Sequence, residues 1–319
     1  MPLHRRGALA AVSLAAHALL TRGRAANAQA APPAAGPPFH RFRVGALTVT
    51  VVTDGTALRP DVTQGLVVNA TREQVAAAMQ AAGIAGTAMR NPFNVTFVEG
   101  PAGLVALDAG TGGFPNTDTG ALHANMRAAG LDPAQVTRIA ITHFHGDHIG
   151  GLTRGDGTAV YPQASVAVPE REWNFWTDAG EESRASEARR PAFANARRRF
   201  APYAGRITRF GPHAEVAPGI RAVPTSGHSP GHTCFLIHDG NQQALVIGDA
   251  ITTPVFFLVH PEWYPVFDMD PPMAVETRKR LLDRAASEGM PVVGYHFDMP
   301  ATGRVERAGT GYRLLPAGA

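Results

Sequence analysis

The chain has 319 residues, 45% hydrophobic and 17% charged, enough for one large domain or two small ones with a sizeable core. Its formal charge is +3, but Arg5, Arg6, Arg22 and Arg24 fall in the first thirty residues, which hold no acid. That leaves 25 of the 29 basic residues against all 26 acidic ones, a near-neutral remainder that excludes a nucleic-acid or membrane footprint.

Residues 1–30 read as an export signal. Arg5-Arg6 precede the short, mildly apolar stretch Gly7–Ala16. Ala26-Asn27-Ala28 and Ala28-Gln29-Ala30 both fit a small-x-small cleavage pattern, which puts cleavage near residues 28–30. The apolar stretch is too short for a permanent membrane helix. An arginine pair in this setting resembles a twin-arginine signal, with ordinary secretion as the alternative, and either route predicts a periplasmic or secreted protein. Residues 31–38 form a Pro-rich linker, so the folded domain is expected over 39–319. Cys234 is the single cysteine and cannot form an intramolecular disulfide. No other segment approaches eighteen consecutive apolar residues, so the mature chain is expected to be soluble.

Leu47–Thr53 alternates β-branched residues and predicts a strand ending at an Asp54-Gly55 turn. Thr71 is placed to N-cap a helix that runs through Ala82 to Gly83. Asn94–Glu99 and Leu104–Leu107 predict two strands. The loop Asp108–Gly113 follows, glycine-rich but without the lysine and spacing of a nucleotide cradle. Ala121–Ala129 predicts a helix stopped by Gly130, Val136–Ile141 a buried strand, and Val166–Pro169 the end of another. From Glu170 to Phe200 the chain reads as helical and arginine-rich. There Arg197-Arg198-Arg199 is balanced by Glu170, Glu172, Asp178, Glu181, Glu182 and Glu187, the composition of a solvated face. Strands return at Ile220–Val223, Thr233–Ile237, Ala244–Ile247 and Pro291–Tyr295, with a helix from Asp270 to Ser287 closed by Gly289. Strands followed by a helix, twice over, predict one α/β domain of two mixed sheets with helices on both outer faces. The strand-end loops then meet along one edge.

One stretch stands out chemically. Ile139–Ile141 leads into Thr142-His143-Phe144-His145-Gly146-Asp147-His148, and Gly150-Gly151 follow. Three histidines and one carboxylate within six residues are the donors that borderline divalent metals such as zinc take. His143 and His145, two apart on an extended segment, project to one side, and Asp147 and His148 diverge from them. Later, Gly227-His228 and Gly231-His232 enter a strand, Gly248-Asp249 closes an apolar strand, and the last core strand delivers His296. Cys234 reads as a small buried residue, and His123, His213, His238 and His260 carry no motif.

Together these motifs resemble the metallo-β-lactamase superfamily in its dinuclear hydrolase form. The resemblance implies an αββα four-layer sandwich holding two divalent metal ions, zinc foremost, with manganese, iron or cobalt able to substitute. It assigns His143, His145 and His228 to one ion, Asp147, His148 and His296 to the other, and Asp249 to both. It places His232 behind the ligands and makes Asp108 a buried support for a ligating histidine, a turn-capping aspartate being the alternative. The order and spacing are most similar to the methyl parathion hydrolases and related lactonases and esterases. Thr53-Asp54-Gly55-Thr56, Pro218-Gly219-Ile220 and Gly309-Thr310-Gly311-Tyr312-Arg313 look shared with that branch. The branch implies aromatic pocket walls, here Phe114, Trp176 and Phe193, with ordinary helix packing as the alternative. Two departures are visible. Asp298 and Arg304 in the 297–305 segment would alter pocket polarity. No tyrosine follows Asp249 closely, so Tyr295 or another residue would have to polarise a substrate carbonyl.

Two such metals about 3.5 Å apart would hold a bridging hydroxide at neutral pH, able to attack a carbonyl carbon or a phosphorus without a Ser, Cys or Lys nucleophile. The expected function is a metal-dependent hydrolase of a small ester, lactone or phosphotriester, with Asp147 or Asp249 passing the proton to the leaving group. β-Lactam hydrolysis is the first alternative, weakened because Asp249 stands where class B1 enzymes have a cysteine. A non-catalytic metal-binding protein of the same fold is the second. A homodimer is compatible with the sequence.

Overall fold

A computed structural model describes residues 37–317, so the expected export signal and residues 31–36 of the linker lie outside the described residues. In chain order the first half holds β1 (Phe39–Val44), β2 (Leu47–Arg59), α1 (Arg72–Ala81), β3 (Met89–Gly100), β4 (Gly103–Leu107), β5 (Asp118–Thr119), α2 (Leu122–Ala128) and β6 (Val136–Ala140). There follow α3 (Gly146–Ile149), β7 (Ser165–Pro169), α4 (Glu170–Thr177), α5 (Ala179–Arg184), α6 (Arg190–Phe200) and β8 (Ile207–Phe210). The second half holds β9 (Glu215–Ala217), β10 (Ile220–Pro224), β11 (Thr233–Asp239), β12 (Gln242–Val246), α7 (Pro254–Phe257), α8 (Pro271–Glu288), β13 (Pro291–Val293), β14 (Thr302–Ala308) and β15 (Gly311–Pro316).

The first sheet runs β1-β2-β3-β4-β6-β7-β8, with β5 paired to β2. The second runs β15-β14-β13-β12-β11-β10-β9. Both are mixed: β4, β6, β7 and β8 are mutually parallel in the first, and β12 and β13 in the second. The alternation of β2 shows how the layers form. Val49 and Val51 join Phe235, Leu245 and Val292 in a core that also takes in Leu281 and Leu282 of α8. Val52, one residue out of phase, faces the other way into a core with Met126, Trp176 and Phe200 of the outer helices. Each fully buried Val, Leu or Phe contributes about 1.5–3 kcal/mol, so this two-faced pattern fixes the order of the layers. The result is the expected αββα sandwich, a single α/β domain.

Thr71 caps α1 with a reciprocal pair of bonds to Gln74, and Gly289 ends α8 in the left-handed conformation at φ 60°, both as the sequence predicts. Asp54-Gly55 is different. It is a bulge inside β2, where the register with β3 shifts, and the strand continues to Arg59. Asp54 is buried there, and its carboxylate accepts hydrogen bonds from the Thr111, Gly120 and Leu122 amides. It therefore ties the glycine-rich loop and the start of α2 to the sheet. The predicted helical run from Glu170 to Phe200 is three helices, and its face is not uniformly solvated, because Glu172 is buried.

The ligand motifs leave the strands at one end. β6 precedes His143–His148, β10 precedes His228, β12 precedes Asp249 and β13 precedes His296. The Thr233 amide donates to the Thr142 carbonyl at 3.0 Å, joining the two halves beside these loops.

Candidate metal centre

Two overlapping groups of donors converge at that end: His143, His145, His228 and Asp249, and Asp147, His148, Asp249 and His296. Within each group one atom per residue lies within 4.8 Å of all the others. The shared member divides its two oxygens. Asp249 Oδ2 lies 3.3 Å from His228 Nε2 and 3.9 Å from His143 Nε2, whereas Oδ1 lies 3.2 Å from His148 Nε2 and 3.3 Å from His296 Nε2. Asp147 Oδ2 stands 3.4 Å from His296 Nε2 and 3.5 Å from His148 Nε2. Donors at about 2.0–2.2 Å from a tetrahedral ion are about 3.3–3.6 Å apart, close to the 3.2–3.9 Å seen here.

The chemistry of the cluster fits a cation. His143 Nε2, His148 Nε2 and Asp249 Oδ1 are buried without a hydrogen-bond partner. A buried polar atom left in that state costs about 1–3 kcal/mol, and one cation in each donor group would satisfy all three. Burial and the neighbouring imidazoles hold His143 well below its ordinary pKa, and burial with His228 beside it takes His145 down to about 3. Burial would also depress His148, His228 and His296, but the carboxylates outweigh it. His148 is lifted well above its ordinary value, and His228 and His296 to about 9. Asp249 is held far below the usual carboxylate range by His296 and His148, which together outweigh its burial. Five histidines and two carboxylates in one buried volume thus compete for positive charge.

Most of these candidate ligands are aimed from behind. His148 Nδ1 donates to Asp108 Oδ2 at 2.8 Å, and the other oxygen of Asp108 accepts from the Thr142 amide at 2.7 Å. Asp108 sits at φ 69°, a left-handed turn that a short polar side chain tolerates. His296 Nδ1 donates to the Pro92 carbonyl, and His228 Nδ1 to Asp268 Oδ1 at 2.8 Å. His232 Nδ1 donates to Thr225 Oγ1 and its Nε2 accepts the Asp249 amide at 3.0 Å, so it holds the backbone of Asp249 from behind. Gly248 makes room for that ring, since a Cβ there would lie 2.8 Å from His232 Nε2. Such bonds fix which ring nitrogen is left to face the ion.

Other supports were not legible in the sequence. Asp268 Oδ2 receives Arg278 Nη2 at 2.9 Å, and Arg278 Nε donates to the Ala250 carbonyl, so one buried guanidinium steadies both the His228 and Asp249 segments. Glu172 accepts from the Phe144 and Gly231 amides, from Trp176 Nε1 at 2.6 Å and from the Ser229 hydroxyl. That makes a staple between the two histidine loops. Gly227-His228-Ser229-Pro230-Gly231 has Gly-x-Ser-x-Gly spacing, yet it joins two strands, and Ser229 is buried with its hydroxyl committed to Glu172. It is no nucleophile elbow. Cys234 is buried and donates to the Ile247 carbonyl, and burial pushes its thiol up to about 12. Tyr295 donates its hydroxyl to the Asp147 carbonyl at 2.7 Å and stacks on His148, so it offers no donor to a substrate.

A cavity of about 710 Å³ opens over the cluster, with His145, Asp147, Asp249 and His296 in its floor. Phe114 and Trp176 line it, as expected, together with Phe93, Phe267 and Arg59. Phe193 does not. It is fully buried behind Trp176, with ring centroids 4.9 Å apart, and belongs to the helix packing. Arg304 is also displaced from its expected place: the 302–308 segment is strand β14, and Arg304 pairs with Leu315 away from the cavity. Asp298 does not line the cavity either.

The sequence profile of the metallo-beta-lactamase superfamily matches residues 90–296. The chain belongs to this superfamily. No curated protein matches it in sequence. Among solved structures it is similar to AidC, a dizinc quorum-quenching lactonase in complex with a product, with a TM-score of 0.82 and 22% identity over 88% of this chain and 98% of that one. It is similar to the hydrolase AbOPH, with a TM-score of 0.81 and 24% identity over 89% and 99% of the two chains. A third likeness is an N-acyl homoserine lactone hydrolase with product bound at its catalytic metal centre, with a TM-score of 0.54 and 19% identity over 80% and 94%. At these identities the likenesses speak for the fold. Membership of the superfamily and the paired His/Asp cluster support a dinuclear metal-dependent hydrolase.

Proposed function

We propose that the protein hydrolyses a small ester, lactone or phosphotriester with two divalent ions, zinc foremost. His143, His145 and His228 would hold one ion, Asp147, His148 and His296 the other, and Asp249 both. The observation that carries this reading is the division of the Asp249 oxygens between the two donor groups. Ions in such a pair supply Lewis acidity and an activated water at neutral pH. The protein's own residues do the rest. Asp108, Asp268, the Pro92 carbonyl and His232 hold the donors in place, so little reorganisation is needed when substrate enters. Phe93, Phe114 and Trp176 supply an apolar wall that orients an aromatic or alkyl group and excludes water. Asp147 is 19% exposed on its side chain against 6% for Asp249, whose oxygens are both committed to the donor groups. Asp147 is therefore the carboxylate placed to exchange a proton with a leaving group.

The test is metal analysis followed by a substrate panel. Reconstituted protein is expected to carry two equivalents of metal and to cleave at least one of dihydrocoumarin, p-nitrophenyl acetate and methyl parathion. Two bound ions with no turnover of any of the three would refute the substrate class. A single bound ion would refute the site. Export by a twin-arginine or ordinary secretory route is a separate proposal resting on residues 1–30. Replacing Arg5 and Arg6 with lysine tests the first route, since unchanged export removes it.

A further inference from the structure

Of the charged groups that border the cavity, Asp147 and Asp249 are committed to the histidine cluster, and Arg59 and Arg189 are not. Arg59 is the more enclosed of the two arginines. It stands at the end of β2, carried past the bulge at Gly55 to the cavity wall. Its guanidinium carbon lies 5.0 Å from the centroid of the Phe267 ring, and both residues line the cavity. Among the described residues its side chain forms no hydrogen bond or ion pair, although it feels the field of Asp147 and Asp249. The Phe267 ring beside it leaves the N–H edge of the guanidinium without a protein partner. That edge is a fork of N–H donors matched to a carboxylate. Leu66, Val266 and Met269 line the same cavity and offer methylene-friendly surface.

We infer that Arg59 is a specificity residue, which selects esters or lactones bearing a carboxylate separated from the scissile bond by a short apolar chain. The inference deepens the hydrolase reading and rests on it for the kinetic part of its test. A neutral substrate would leave the fork unanswered in a half-enclosed cavity, whereas a carboxylate would accept two parallel bonds from it.

The experiment compares p-nitrophenyl hydrogen glutarate with p-nitrophenyl butyrate on the zinc-reconstituted full chain, its Arg59→Met variant and its Arg59→Lys variant. Calorimetry of glutaric acid monoanilide, an unreactive amide of the same shape, accompanies the kinetics. The ratio of kcat/KM for the glutarate over the butyrate ester is expected to fall at least tenfold in Arg59→Met. In Arg59→Lys, which keeps the charge and loses the fork, it should fall by a smaller factor. Monoanilide affinity should weaken at least tenfold in Arg59→Met. Either shift upholds the assignment. A ratio and an affinity that both stay within twofold of the parent overturn it, as they would if the carboxylate simply met the metals. If the parent cleaves neither ester but binds the monoanilide in an Arg59-dependent way, the ester part of the hydrolase reading falls and the assignment of Arg59 stands.

Discussion

The floor of the cavity and its wall are built on different principles. Every ligand candidate in the floor lies in the segment just after a core strand, and most are backed by a buried group that aims them: Asp108, Asp268, His232 and the Pro92 carbonyl. The wall is assembled from side chains of distant segments, among them Arg59, Phe114 and Phe267, and Phe267 is 42% exposed. The contrast teaches that this chain spends its buried polar groups on the position of the donors and leaves the shape of the substrate space to residues that few others depend on. Changes in the floor should therefore be severe and general, and changes in the wall mild and substrate-dependent.

Four substitutions sharpen or break that contrast. Asp249→Ala should have the largest effect, abolishing turnover and removing about one metal equivalent, because one carboxylate serves both donor groups. Metal analysis with an activity assay checks it, and retention of both ions and activity would dissolve the distinction. Arg278→Met should come next, leaving the buried Asp268 carboxylate with His228 as its one remaining charged partner, at a cost of about 3 kcal/mol in unfolding free energy, read from denaturant titration. Glu172→Gln should follow at about 2–3 kcal/mol by the same measurement. An amide cannot accept from all four donors that the carboxylate now serves, and its NH2 would face two of them. Phe114→Ala should have the smallest effect. KM for aromatic esters should rise by a factor of about three to ten, in line with losing about 1 kcal/mol of apolar contact, with metal content and stability little changed. If Phe114→Ala instead lost metal, the wall would prove to be part of the floor.

The same contrast explains what was legible in the sequence. The seven donors are found because they cluster in short motifs at the ends of apolar strands, where chain position and chemistry agree. Asp108 was legible for the same reason. Glu172 was not, because it lies among acids and arginines on a segment that reads as solvent-facing, and only the packing of α4 under the two histidine loops buries it. Asp268 and Arg278 are ten residues apart with no motif, and their pairing is made by tertiary contact. Phe193 shows the converse error: an aromatic one layer behind the wall is indistinguishable in sequence from one that forms it. In the fold, β14 and β15 are not legible because their exposed Arg and Glu side chains interrupt the apolar pattern near the sheet edge. The Asp54-Gly55 pair reads as a turn because a bulge and a turn use the same residues, and only the partner strand tells them apart.

The order in which the donors enter the chain has one more consequence. The first four, His143 to His148, belong to the half that forms the first sheet, and the last three to the half that forms the second, with His296 arriving only after β13. A nascent chain emerging from the ribosome can thus present four donors long before the set is complete. Firm capture of the two proposed ions would have to await docking of β13. Metal retention would then act as a maturity stamp on the molecule, one that a chain stalled or truncated before His296 could never acquire.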